Sequence, residues 1–402
     1  MSAILMLVSF CMAEPAAAES TQVTEKSLAR ALRRWVNDGF PSLSVAIADS
    51  CGIIWKGAEG YSDLSKRRPA SSAEMYGIGS ITKTFVAVVA IQLVEEGRLK
   101  LDQTAADILD DSALKGVPNA STATIRQLMN HTSGIPSWED NPRWIHRARG
   151  DAYDPGRAWP DSADMDFVRG AKPLSPAGAA YHYSNTNYTL LGLIIQKITG
   201  ERLASEIRKR ISNPLGLHDT YLEGFEAVPA SQLPHRYHFS TAQFRQSAGV
   251  SALFPEAHPG LIDVSHSTLA AEWAAGGLLT TADDLVKFAL GLRDGRLLKP
   301  NSLQFMTQWR PADSGSQVGH GLFRSPWGGD SHLIGHTGGV LGFAAVMYWL
   351  EEGDAIIVIL TNVGSVDAGD VPLNREGSQE FLHLALRFAK NRSTSSCKGR
   401  LP

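Results

Sequence analysis

Two pairs of strand-like segments stand near opposite ends of this chain, and any fold it adopts has to bring them together. Leu43 to Ala48 is an apolar run, the turn Asp49-Ser50-Cys51-Gly52 follows, and Ile53, Ile54 and Trp55 lead a second strand toward Tyr61. Near the other end, Phe343 to Leu350 and Ala355 to Leu360 are apolar strands joined by Glu351 to Asp354. The middle reads differently. Helical spacing marks Phe85 to Glu96, Tyr188 to Thr199 and Thr281 to Leu292, and long loops rich in Pro, Gly and Trp separate them. Loops such as Ser137 to Lys172 and Val228 to Ala270 are too long to be mere connectors, and such loops often shape clefts. An amphipathic helix opens at Thr24, with Leu28, Leu32, Trp35 and Val36 on one face and a stop at Gly39, and a last helix covers Gln379 to Lys390. The predicted fold class is α+β: an antiparallel sheet built from both chain ends and flanked by helices, with a mostly helical lobe inserted. Residues 24–97 and 275–390 form the sheet lobe, 98–274 the helical lobe and 391–402 a tail.

Composition narrows the partner. The 402 residues are 43% hydrophobic and 20% charged, which suits a large core, and 38 basic against 41 acidic residues leave a formal net charge of -3. A chain so balanced has no overall positive field to collect nucleic acid or anionic lipid, so the expected partner is a small molecule or peptide. Ala3 to Met12 is apolar and Ala16-Ala17-Ala18 follows, the pattern of a signal peptide over residues 1–18, which implies an exported, periplasmic or secreted protein. Phe10 before Cys11 argues against a lipoprotein site. Removal of that segment leaves Cys51 and Cys397, enough for at most one disulfide. No later apolar run is long enough to span a bilayer.

The chemistry concentrates in three short motifs. Ser80-Ile81-Thr82-Lys83 is an S-x-x-K, and so are Ser112 to Lys115 and Ser395 to Lys398, but those two lie in polar surroundings where the lysine stays hydrated and protonated. Ser80 instead follows Gly77-Ile78-Gly79 and opens a helix that is apolar on nearly every side, hence buried. Three positions apart at a helix start, Ser80 and Lys83 can touch, and a desolvated lysine can take the proton of a serine nucleophile. Tyr183-Ser184-Asn185 is the only Y-x-N, just before the helix near Tyr188. A tyrosine near cations ionises more easily and can act as a base, while the Asn185 amide can orient the lysine and bond a substrate carbonyl. His336-Thr337-Gly338-Gly339 precedes the strand starting near Gly342. Its small residues let a substrate lie along a strand edge, Thr337 adds a hydroxyl, and a backbone N–H beside it can face an oxyanion. His332 and His336 are four apart, but the glycines favour an extended segment and no H-E-x-x-H occurs, so no metal site is expected.

In the order S-x-x-K, Y-x-N and H-T-G, the chain resembles the serine beta-lactamase and penicillin-binding protein superfamily. The most similar branch holds class C beta-lactamases, D-alanyl-D-alanine carboxypeptidases, D-aminopeptidases and related esterases. Leu128-Met129-Asn130-His131-Thr132-Ser133-Gly134, Tyr183-Ser184-Asn185-Thr186-Asn187-Tyr188 and Ala275-Gly276-Gly277-Leu278-Leu279-Thr280-Thr281 add to the resemblance, which spans roughly Thr24 to Lys390. It implies a beta-lactamase-like fold and an acyl-enzyme serine hydrolase that needs no metal or organic cofactor. It also implies that Ser80 is acylated, that Lys83 and Tyr183 manage its proton, that Asn185 orients Lys83 and substrate, that His336, Thr337 and Gly338 line the substrate, and that the N–H groups of Ser80 and Gly339 form the oxyanion hole. His131 is implied to be structural. Most beta-lactamases of this family carry Lys where this chain has His336, a residue of ordinary pKa about 6.5 expected to read a substrate carboxylate through its partial charge. The activity expected is therefore that of a D-alanyl-D-alanine carboxypeptidase or D-amino-acid peptidase. A carboxylesterase or weak beta-lactamase on the same site is the first rival, and a non-catalytic penicillin- or peptidoglycan-binding sensor the second.

Overall fold

The computed structural model describes residues 23–327, 331–371 and 375–392. The expected signal peptide, with Cys11, and the tail from residue 393 onward, with Ser395 and Cys397, lie outside them. Cys51 is disulfide-bonded.

The strand pairs do meet. We label β1 (Ser42–Asp49), β2 (Gly52–Asp63), β3 (His332–Val340), β4 (Phe343–Leu350) and β5 (Ile356–Thr361). The main sheet, nine strands among the described residues, runs in the order Arg310–Pro311, Gln317–Val318, Phe323–Pro326, β3, β4, β5, β1, β2, Arg68–Pro69. β1 pairs antiparallel with β5 from Leu43↔Thr361 to Ala48↔Ile356, so the two chain ends are joined at the sheet centre. Both faces are covered, which is why these strands read as continuous apolar runs rather than alternating ones. Along β1, Leu43, Val45 and Ile47 enter one core while Ala46 and Ala48 enter another. The first core is closed by α1 (Glu25–Asn37), through Leu28, Leu32 and Trp35, and by α5 (Arg375–Arg392), through Phe381, Leu382 and Ala385. Thr24 caps α1, accepting from the Ser27 N–H, as the predicted start requires.

The second core holds α2 (Thr82–Glu95), α3 (Asn185–Thr199) and α4 (Ala282–Arg293). α2 is buried without interruption from Thr82 to Ile91, the all-round burial that its composition predicts, and Phe85 stacks on Phe288 of α4 at 3.6 Å between ring centroids. The middle of the chain holds more strand than its sequence suggests. Tyr237–Phe239, Leu261–Asp263 and Glu256–His258 form a small sheet with Val363–Gly364, and Thr220–Leu222 pairs with Leu278–Thr280. Strands of two or three residues are too short for alternation to register. The H-T-G segment also differs from expectation: it lies inside β3, paired with β4 from Leu333↔Leu350 to Val340↔Phe343, rather than ahead of a strand. No helix among the described residues is long and apolar enough to cross a membrane.

Candidate active site

A tight turn sets the geometry. Gly79 has φ of +50°, a conformation that side chains disfavour, and it lies so near β3 that an added Cβ would sit 2.6 Å from the Gly339 nitrogen. That turn, Gly79–Ile81, leads into α2 and leaves Ser80 5% exposed while Lys83 one turn later is fully buried. Lys83 Nζ donates to Ser80 Oγ at 2.9 Å and to the Ala275 carbonyl at 2.7 Å, from the short helix Trp273–Gly276. Burial pulls the Lys83 ammonium down to about 7, against the opposing pull of Glu139 and Glu272. The competing S-x-x-K at Ser112 has both its serine and Lys115 exposed.

Tyr183 arrives from the turn before α3 and donates its hydroxyl to Ser80 Oγ at 2.8 Å. Its ring lies 5.0 Å from Lys83 Nζ and stacks on His131 at 4.3 Å. His131 is buried with φ of 59°, and its Nδ1 accepts from the Ser184 N–H at 3.1 Å, so it fixes the backbone and ring beside it. The expectation that Tyr183 ionises readily is corrected: desolvation pushes its phenol well above the usual range, and it stands as a neutral donor to the serine.

Asn185 also departs from expectation. It makes no hydrogen bond to Lys83. Its Nδ2 donates to Glu139 Oε2 at 2.5 Å, and its Oδ1 is buried with no hydrogen-bond partner. The lysine is held by Ala275 instead. Because Glu139 can only accept, it fixes which way the amide points.

His336 is 3% exposed, edge-on to Phe323 at 5.0 Å, with burial and the Lys83 charge pulling it down to about 3. The partly charged carboxylate reader is thus corrected to a neutral imidazole. Its Nδ1 lies 2.5 Å from the Thr337 carbonyl, which can only accept, so Nδ1 carries the proton. Nε2 is left as an acceptor, and it is buried and unpartnered. Thr337 keeps part of its surface exposed.

Gly338 explains why β3 needs glycines. An added Cβ would stand 1.8 Å from the Ile78 carbonyl oxygen and 3.0 Å from the Ser80 nitrogen. With Gly79 likewise against Gly339, the backbones bearing the Ser80 and Gly339 N–H groups are in contact. Gly338→Ala should therefore lever β3 away from the serine and slow acylation by about 100-fold, the cost of an ångström-scale misplacement, while far-UV circular dichroism stays native. An unslowed Gly338→Ala enzyme would show that this close approach is not needed.

Glu139, Arg149, Glu272 and Ala275 were not legible as site residues. Arg149, 1% exposed, donates from one terminal nitrogen to Glu139 at 2.6 Å and Glu272 at 2.8 Å, and from the other to Asp367 at 2.9 Å. Among the described residues no His/Cys/Asp/Glu cluster suits a metal ion.

A family model described as Beta-lactamase matches residues 22–377. Penicillin-binding protein 4 of Amycolatopsis lactamdurans is 29% identical over 317 residues, covering 74% of each chain. The protein flp of Staphylococcus aureus strain N315 is 25% identical over 335 residues, 81% of this chain, which spans only 60% of that longer relative. Among solved structures, the D-amino acid amidase of Ochrobactrum anthropi SV3, complexed with L-phenylalanine, superposes with a TM-score of 0.80 at 28% identity, over 92% of this chain and 100% of the other. A D-stereospecific amidohydrolase from Streptomyces sp. gives 0.73 at 27% identity over 92% and 100%.

Proposed function

The chain belongs to the beta-lactamase family, and as a serine hydrolase of that superfamily we propose that it cleaves amides of D-amino acids bearing a free α-amino group, through an acyl-enzyme on Ser80. The observation that carries this reading is the polarity beside the nucleophile: Asn185 Oδ1 is an unpartnered acceptor and Glu139 a carboxylate, which suit an N–H-bearing substrate. The similarity to D-amino acid amidase supports the stereochemistry.

In this mechanism Ser80 Oγ attacks the scissile carbonyl carbon while its proton passes to neutral Lys83 along the 2.9 Å contact. The Tyr183 hydroxyl steadies Oγ as charge builds on it, and the N–H groups of Ser80 and Gly339 receive the carbonyl oxygen as it becomes negative. When the C–N bond breaks, the leaving nitrogen takes back the proton from this pair. Water then repeats the sequence on the ester, returning Ser80 with its proton. The order of the motifs and the export pattern at residues 3–18 fit a protein that meets cell-wall-derived peptides outside the cytoplasm.

The test is a panel of D-alaninamide, L-alaninamide, N-acetyl-D-alaninamide and an N-acylated D-Ala-D-Ala peptide. D-Alaninamide should exceed the other three in kcat/KM by about tenfold or more, since inversion at the α-carbon or acylation of the amine each takes an ammonium group away from the Asn185 oxygen and the Glu139 carboxylate. Preference for the N-acylated dipeptide would overturn this reading in favour of the carboxypeptidase expected from sequence. A related measurement concerns His336. With its pKa near 3, its charge does not change between pH 6 and 8, so the kcat/KM ratio of an anionic to a neutral ester should be flat across that range apart from substrate ionisation. A ratio that falls as pH rises would restore the charged-histidine account.

A further inference from the structure

Lys83 is the one catalytic group whose proton affinity has to be poised, and the groups that face it come from several elements. On α2 itself it meets Ser80. Tyr183 and Tyr188 present rings at 5.0 and 5.7 Å from the α3 side. His131 and, from β3, His336 lie near enough for the Lys83 charge to depress them, and burial keeps both neutral. The carboxylates acting on it are those of Glu139 and Glu272. Burial raises the Glu272 carboxyl and Glu139 adds to this, while Arg149 and Lys83 pull it the other way; buried Asp164, which also feels Glu272, is raised well above the usual carboxylate range.

Glu272 stands in a singular place. It directly precedes the short helix Trp273–Gly276, and its backbone carbonyl accepts from the Ala275 N–H at 2.9 Å. The carbonyl of that same Ala275 receives Lys83 Nζ. The Glu272 side chain folds over this turn, with Oε2 3.2 Å from the place a Gly276 Cβ would occupy, and Oε1 accepts from Arg149. Arg149 also holds Glu139, which holds Asn185. One buried guanidinium therefore ties together the two carboxylates, the turn that grips the lysine, and the amide beside the serine.

We propose that Glu272, anchored by Arg149, is a positioning residue that sets the working pH of the catalytic pair by holding a negative charge against the turn that delivers the Ala275 carbonyl to Lys83. This rests on the reading of Lys83 as the proton acceptor. The cluster carries three carboxylates, those of Glu139, Glu272 and Asp367, around one cation. Such an excess of negative charge favours the protonated lysine, and loss of one facing carboxylate makes the amine easier to deprotonate.

The experiment is the pH profile of kcat/KM for a neutral ester in wild type, Glu272→Gln, Glu272→Asp and Asp367→Asn, each with its melting temperature. Glu272→Gln keeps a carbonyl for Arg149 and removes the charge. Its acid limb should move to lower pH by about half a unit or more, which raises activity relative to the plateau about threefold on that limb. Glu272→Asp restores the charge and should leave the limb near its wild-type position, with a lower plateau from the retracted side chain. Asp367→Asn removes a carboxylate that pairs with Arg149 but is not among the charges facing Lys83, so it should lower the melting temperature without moving the limb. If Glu272→Gln loses stability yet its limb stays in place, Glu272 is structural and the proposal falls. If Glu272→Gln does not fold, Glu272→Ala decides, since it too removes the charge: an acid limb displaced downward supports the proposal, and an unmoved limb overturns it. Failure of the underlying reading looks different, because full activity of Lys83→Ala would remove the lysine from the mechanism whatever Glu272 does.

Discussion

Ser80→Ala should abolish turnover, with kcat/KM for esters and amides falling by about 10⁵-fold and covalent labelling by a fluorescent penicillin lost altogether. The fold should survive. The Ser80 hydroxyl is held by Lys83 and Tyr183, and after its removal Lys83 keeps the Ala275 carbonyl. Circular dichroism and the melting curve should therefore stay close to wild type. Ser112→Ala, at an exposed serine beside an exposed lysine, should be silent. Substantial turnover in Ser80→Ala, or inactivation by Ser112→Ala, would place the nucleophile elsewhere.

The second large effect is expected at Lys83. Lys83→Arg should fail about as badly as Lys83→Ala, each by about 10³-fold or more, because arginine keeps the charge but gives up no proton in the accessible range. The pH dependence follows from the direction of the shift. Burial lowers the ammonium from 10.5 to about 7, so below that value the lysine is protonated and cannot accept from Ser80, and above it the free amine accumulates. Wild-type kcat/KM should climb as pH rises through about 7. A flat profile from pH 5.5 to 8.5, or a Lys83→Arg enzyme retaining a tenth of its activity, would move the base role to another group.

The sequence legibly announced the strands that lie deepest and the serine–lysine pair, and for one reason. β1, β4, β5 and α2 are buried so thoroughly that composition alone betrays them, and Ser80 is distinguished from its two rivals by the apolar helix it opens. What stayed hidden is what depends on distant partners. Glu139, Arg149 and Glu272 have no periodicity or spacing to mark them, and in isolation each reads as a solvated side chain. Their meaning comes from a fold that brings residue 272 to residue 149, 123 positions away. The glycines at 338 and 339 weaken the strand signal of β3, since the residue type that permits close approach to Ile78 is one that strands disfavour. His336 was legible as a site residue but not as a neutral one, because its titration is set by burial that no local pattern records.

The junction of β1 with β5 has a consequence for how the molecule comes into being. Thr361 Oγ1 donates to the Ser42 carbonyl at 2.8 Å across 319 positions of chain. At a synthesis rate of about 5–20 residues per second, β1 waits roughly 15 to 65 seconds on the ribosome before its central neighbour exists. During that interval an eight-residue strand, buried along its whole length in the finished protein, has only the hairpin to β2 to occupy it, and one of its edges offers unpaired backbone groups to any other nascent strand. Refolding from denaturant should accordingly be slow, as expected for a sheet closed by its most distant contacts, and its yield should fall steeply with protein concentration. The pairing that defines the architecture is among the last to become possible, preceding only the strand Val363–Gly364 and α5.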